Sequence, residues 1–259
     1  MQRILNLLLS ASLLISTHLF AETEAPAPEA VDQINTENIQ HPYPEFSAVY
    51  KATWRGGWIP ISVVAEKSLS YKEDQTAELR FEADSAIAGL QEISTFSWDK
   101  EQIKPLQYRY LRTGLFDEPD RHQIFDWQNQ SVSDIALKKD YPNQWHEQIQ
   151  DNLSYHLQAG IDLKNGKTQF SYPVFDRKKV KDFKFQLVGY ESLETKMGTL
   201  RTIKVNQIEK KKKKVKTSIW FAKDYDYMLV RLEQKKKDGQ TYLIDMTYLD
   251  INGKQLGKR

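Results

Sequence analysis

Four histidines, His41, His122, His146 and His156, lie beyond the N-terminal segment. His146-Glu147-Gln148-Ile149-Gln150 begins like a zinc-protease helix but lacks the second histidine at the fifth position. His146 and His156 are ten residues apart, too far to share one metal on a helix, and a surface role is expected for both. Acidic pairs occur at Asp117-Glu118 and at Asp224 and Asp226. A glycosidase needs two carboxylates at a set separation across a cleft. Aspartate is a common turn former, so turn and surface positions are expected for these acids. The chain has no Gly-x-Ser-x-Gly elbow and no cysteine. Thiol chemistry, disulfides and a lipid-acceptor cysteine are thereby excluded. No catalytic residue, metal ligand or cofactor is assigned, and an enzyme ranks last among the readings.

Two other residue classes could bind. One is aromatic: 13 Tyr, 11 Phe and 6 Trp. Strands favour aromatics, so a core explains most of them. Some could instead line a cavity, since Trp and Tyr join apolar area to one polar handle. The candidates are Trp54, Trp58, Trp98, Tyr108, Tyr110, Trp127 and Trp220. The other class is basic. Lys210, Lys211, Lys212, Lys213 and Lys214 are followed by Lys216, and Lys235 to Lys237 form a second cluster. From Arg201 onward Lys and Arg exceed Asp and Glu by nine, although the whole chain carries only +2. Such runs suit solvated hairpin ends, where lysines discourage edge pairing. They could also touch an anionic envelope surface. Nucleic acid is not expected as a partner.

The elements that must position these residues are mostly strands. Leu200 to Val205 alternates apolar and polar residues, and Val215 to Phe221 is β-branched and aromatic. Tyr227 to Leu232 and Tyr242 to Leu249 follow, with Asp238-Gly239 as a hairpin signal between them. Earlier strands are predicted over 46–54, 58–71, 76–86, 93–98, 106–111 and 122–127, with a short one over 132–137. Arg55-Gly56-Gly57 marks a hairpin, and Pro105 fits a strand start. Strands resume over 168–175 and 183–188. Between residues 137 and 168, Trp145, Ile149, Leu153 and Leu157 recur every four residues. That spacing predicts one amphipathic helix over 142–161, capped by Asn143 and stopped by Gly160. The expectation is a mainly β chain: an antiparallel roll or open barrel of roughly a dozen strands with one helix, because a long sheet curls to limit its edges.

The N-terminus is of another kind. Arg3 precedes an apolar run from Ile4 to Ile15, and Leu19-Phe20-Ala21 precedes the acidic Glu22. This predicts a signal peptide over 1–21, cleaved after Ala21, since the run falls short of the ~20 residues of a spanning helix. Residues 22–45 are rich in Ala, Pro and acid and read as a disordered spacer. Residues 46–259 read as a single β-rich domain. A periplasmic location fits an exported chain without cysteine.

Several segments carry a family likeness: Phe125-Asp126-Trp127, Asp151-Asn152-Leu153-Ser154-Tyr155, Gly189 to Thr195 with Gly198, and Ile219 to Asp224. Their order and spacing over 46–249 resemble the exported bacterial family of domain-of-unknown-function 3108. Met228-Leu229-Val230 departs from it where a proline is expected. The resemblance implies a periplasmic antiparallel roll or open barrel and no defined activity. The Gly-Thr-Leu strand and the Trp strand are also similar to the lipoprotein-carrier architecture, in fold only. Three function classes follow. The first is a periplasmic module holding a lipid-like, apolar or amphipathic ligand, or a lipidated molecule. The second is a non-catalytic envelope scaffold docking on anionic surfaces or a partner. The third is a hydrolase of unrecognised type.

Overall fold

Alternation of period two dominates the chain, and the strands follow it. A computed structural model describes residues 41–56, 60–85, 88–114, 119–208 and 215–258. The strands are β1 (Phe46–Arg55), β2 (Ile61–Tyr71), β3 (Ala77–Asp84), β4 (Ala88–Asp99), β5 (Gln102–Gly114), β6 (Arg121–Asp126), β7 (Ser131–Asp134) and β8 (Lys139–Tyr141). After helix α1 (Ser154–Lys164) come β9 (Gln169–Asp176), β10 (Lys179–Thr195), β11 (Gly198–Ile208), β12 (Val215–Ala222), β13 (Met228–Lys236), β14 (Thr241–Ile251) and β15 (Lys254–Gly257). All fifteen belong to one antiparallel sheet. Its order runs β8 to β1, then β14 to β9, with β15 beside the end of β14. The sheet is open, with β8 and β9 as its outer strands. Sequence neighbours pair throughout except β8 and β9, and the pairing of β1 with β14 joins the two halves.

The hairpins obey local chemistry. The β13–β14 turn sets Gly239 at φ +85°, and the Asp238 side chain accepts the N–H of Gln240. The β10–β11 turn sets Gly198 at φ +104°, and Thr195 Oγ donates to its carbonyl. Pro105 is not a strand start. It lies inside β5 at a register shift opposite Thr95 and Phe96, where a bulge removes the need for its missing N–H.

The predicted helix over 142–161 is corrected. Pro142–Gln144 forms a single 3₁₀ turn, the chain then runs irregularly, and α1 begins at Ser154. Ile149, Leu153 and Leu157 are all buried, so the apolar spacing was set by packing on the sheet and not by one continuous helix. Asn143 caps no α-helix, and Gly160 lies inside α1. Asp151 is the real capping residue. Its Oδ1 accepts the N–H groups of Leu153 and Ser154, both at 2.8 Å, while Ser154 Oγ accepts the N–H of Asp151 at 3.1 Å. This reciprocal arrangement is a capping box. Ser94 Oγ of β4 donates to the other Asp151 oxygen at 2.5 Å, which ties the helix start to the sheet.

The connector also covers an exposed stretch of β5. Residues 102–106 have no β6 partner, because β6 pairs only from Gln107 onward. Gln158 Oε1 accepts the N–H of Ile103, Gln150 Nε2 donates to its carbonyl, and Trp127 Nε1 donates to that of Pro105. The backbone of Gln150 bonds to β9 at Pro173 and Phe175. One residue thus links β5 to the far edge of the sheet. Residues ahead of β1 pack on the same body: Tyr43 is buried, and His41 stacks on Tyr71 at 3.5 Å.

Candidate ligand-binding site

The inward face of β2 changes along its length. Ile61 is 61% exposed, Ala65 is 1% exposed, and Lys67 and Leu69 are buried. Directly opposite residues share a face, so Ile61, Trp54 and Tyr242 form one row across β2, β1 and β14. All three are among the exposed large apolar side chains. Further along β2 the same phase is buried at Ala65, Lys67 and Leu69, so this face has an exposed apolar end, the rim, and a buried end.

Between them lies a cavity of about 180 Å³. Its walls are Tyr50, Phe81, Leu90, Leu229, Leu232, Tyr242 and Ile244, with Leu153, Asn152 and His156 of the capping segment above and Lys67 and Glu92 in the walls. Tyr50 spans the interior and donates its hydroxyl to the Leu229 carbonyl at 2.8 Å. The lining is mostly apolar with a few polar groups, the usual make-up of a small-molecule site.

Those polar groups are electrostatically unusual. Lys67 is 8% exposed, and burial pulls its pKa from 10.5 down to about 8 against the opposing pull of Glu92 and Asp151. Among the described residues it makes no hydrogen bond or ion pair. Burial pushes the Glu92 carboxyl up, although the Tyr108 hydroxyl donates to it. Asp151 is likewise raised by burial. His156 is held well below its ordinary value, first by burial and then by the Lys67 charge, and its Nε2 is buried without a partner. The surface role expected for His156 is therefore corrected: an irregular segment precedes α1, which turns this residue inward. Among the described residues no acid is hydrogen-bonded to its imidazole. Among the described residues no group of three or more His, Asp or Glu is placed to hold a metal ion.

The sequence candidates are dispersed. Trp54 lies on the rim. Tyr108 and Tyr110 lie on the inner face beside Glu92: Tyr110 pairs with it in register, and Arg121 sits 4.0 Å over the Tyr110 ring. Trp98 packs edge-on to Phe96 at 5.2 Å, and Trp127 edge-on to Trp145 at 4.9 Å. Trp220 lies on the other face, donating to Glu191 beneath Lys204. Lys216 is exposed on β12 opposite Lys235. Trp58, Lys210 to Lys214, Asp117-Glu118, the predicted signal peptide and most of the predicted spacer lie outside the described residues. Asp224 pairs with Arg201, and Asp226 with Lys164 at 3.1 Å, so these acids serve surface ion pairs. His122 Nε2 meets Gln107 at 2.5 Å, and His146 Nδ1 accepts the N–H of Gln148.

Lys67 and Glu92 were not singled out from sequence, although both left a signal, and His156 was expected only at the surface. Ile61, Val63, Ala65, Lys67 and Leu69 occupy one phase of β2, so Lys67 is a charge in an apolar series. Glu92 interrupts the series Leu90, Ser94, Phe96 and Trp98 in the same way. His156 left none, because the predicted helical register was wrong.

No curated protein matches the chain. Among solved structures, it overlaps a β-barrel-like protein of domain of unknown function DUF1849 from Brucella abortus with a TM-score of 0.58 at 10% identity, covering 81% of this chain and 98% of that one. The likeness shows a shared fold. A putative outer membrane lipoprotein-sorting protein domain from Vibrio parahaemolyticus overlaps more loosely, with a TM-score of 0.31 at 8% identity over 81% of this chain and 86% of that one. Residues 49–247, most of the chain and including both walls of the cavity, match the family described as "Protein of unknown function (DUF3108)", and the chain belongs to that family.

Proposed function

We propose that this chain is an exported, non-enzymatic binding module that holds an apolar or amphipathic ligand on the inner face of its sheet. The carrying observation is that the mostly apolar cavity shares Tyr242 with the exposed row of Trp54, Ile61 and Tyr242. A fold stabilised only by its core would close such a row, since exposed apolar area contributes nothing to stability and invites association. The cavity, at about 180 Å³, is smaller than the ~300–1,000 Å³ of pockets that enclose a whole ligand. It has room for part of one chain or ring, and the remainder of the ligand lies along the rim. The leader over residues 1–21 supports a periplasmic setting, where lipid-like molecules are available as partners.

The test is uptake of a neutral apolar dye, N-phenyl-1-naphthylamine, followed by fluorescence. Wild type should enhance its emission saturably. Leu90→Trp, which fills the cavity from its wall, should lower that affinity about tenfold or more, the loss of roughly 1.4 kcal/mol of apolar contact. Native mass spectrometry of protein purified from the periplasm should show a bound species that organic solvent removes. Absence of both dye uptake and a co-purifying species would overturn the reading.

A further inference from the structure

The deep end of the cavity holds two side-chain nitrogens that have no hydrogen-bond partner among the described residues. Lys67 is buried without a hydrogen bond or ion pair among the described residues. His156 Nε2 is buried and also unpartnered. Both line the same cavity, and the imidazole feels the Lys67 charge, so the two lie within electrostatic reach of each other. The nearby acids are already engaged. Glu92 accepts the Tyr108 hydroxyl, and Asp151 accepts Ser94 and two backbone N–H groups. Among the described residues neither acid is hydrogen-bonded to Lys67 or His156, and a polar nitrogen in a mostly apolar cavity is destabilising until it finds a partner.

Position adds a length. Lys67 and Ile61 share the inner face of β2 and are six residues apart, about 20 Å at ~3.3 Å per residue. The path between them passes the apolar walls at Leu90, Ile244 and Tyr242. We propose that the site takes a single-chain alkyl acid head first, its acid group held between Lys67 Nζ and His156 Nε2 and its chain running outward to the Trp54 and Ile61 rim. The ammonium supplies charge, and the imidazole donates in its Nε2–H tautomer. A carboxylic acid and an alkyl phosphate share this chemistry. The proposal rests on the reading of the inner face as an apolar ligand site, and it adds the head group and the direction of insertion.

The experiment compares decanoate, decyl phosphate and 1-decanol, each below its micelle concentration, by calorimetric titration of wild type and Lys67→Met. Methionine keeps the length and removes the charge, and an unchanged or raised melting temperature verifies that the variant folds. Wild type should bind at least one of the two acids on the order of 10–100-fold more tightly than the alcohol, the range for a hydrogen bond to a charged group. In Lys67→Met that preference should vanish, with both acids binding no more tightly than 1-decanol. Preference for decanoate would identify a fatty acid as the source, and preference for decyl phosphate a phosphomonoester. Equal binding of acid and alcohol by wild type, or an acid preference that survives Lys67→Met, would overturn the head-group assignment and leave the apolar reading standing. Failure of all three compounds to bind wild type would overturn both.

Discussion

Lys67 is stabilised by little in the folded protein, and its titration exposes that. Its folded pKa of about 8 lies below its ordinary 10.5. Between those values the unfolded chain holds the proton and the folded chain does not. Stability therefore rises with pH from about 8 towards 10.5, as the burden of a buried charge is lifted. The shift corresponds to roughly 3 kcal/mol at neutral pH. Ligand-free Lys67→Met should be more stable than wild type by about that amount at pH 7, and the gap should close by pH 10. Urea unfolding of both proteins across that range checks it; a gap independent of pH would mean that Lys67 is not buried as a charge. A residue that weakens the fold and perturbs its neighbours suits binding, since shifted pKa values concentrate at functional sites.

At the scale of elements, α1 holds the roof of the cavity in place through its cap and one close approach. Asp151 and Ser154 fix the helix start, and Ser94 fixes Asp151 to β4. In mid-helix, a Cβ on Gly160 would meet the Tyr227 carbonyl oxygen at 2.7 Å. That oxygen belongs to backbone and cannot swing aside. Gly160→Ala should gain up to ~1 kcal/mol of helix propensity. It should lose more by displacing α1 from the β12–β13 turn, for which overpacking of about 1–3 kcal/mol is the guide. The expected outcome is a lower denaturation midpoint together with altered dye affinity, because Leu153 and His156 move with the helix. A more stable Gly160→Ala would show that the helix does not rest on that turn. The segments that carry the family likeness do this kind of structural work. Asp151 caps, Trp220 donates to Glu191, and Asp224 pairs with Arg201.

For the whole molecule, the question is how an open sheet with two outer strands is kept from pairing with others. The two halves meet through β1 and β14, and the crossing segment before α1 supplies a second tie. Gln150 bonds β9 with its backbone and β5 with its side chain. Gln150→Leu would leave the Ile103 carbonyl without its donor, and an unsatisfied buried acceptor costs about 1–3 kcal/mol. Exposed Gln148, two residues earlier, makes no such tie, and Gln148→Leu should stay within about 0.5 kcal/mol of wild type. Urea midpoints of the two variants separate the roles; equal midpoints would mean that the tie at Gln150 contributes nothing.

The strands were legible because period-two alternation and turn residues such as Asp238-Gly239 act locally. The antiparallel order followed from short connections. The chain-level spacing of Asp151 to Tyr155 and Ile219 to Asp224 sufficed to indicate the family, since caps and cross-strand pairs demand fixed residues. The helix was expected from residue 142 and begins at Ser154, twelve residues later, because burial every fourth residue also arises when an irregular segment packs on a sheet. Which aromatics face inward was not legible either: Trp54 and Trp220 are alike in a strand, and only strand register and bulges separate rim from outer face. The cavity needed the tertiary structure most. Lys67 stands out in β2 as a charge in an apolar phase, but sequence alone could not bring it within reach of His156, 89 positions away. The sequence by itself determined the strands, their turns and the family. The pairing of β1 with β14, the start of α1 at Ser154 and the meeting of Lys67 with His156 in one cavity were left to tertiary packing, because they depend on contacts between residues that no local pattern couples.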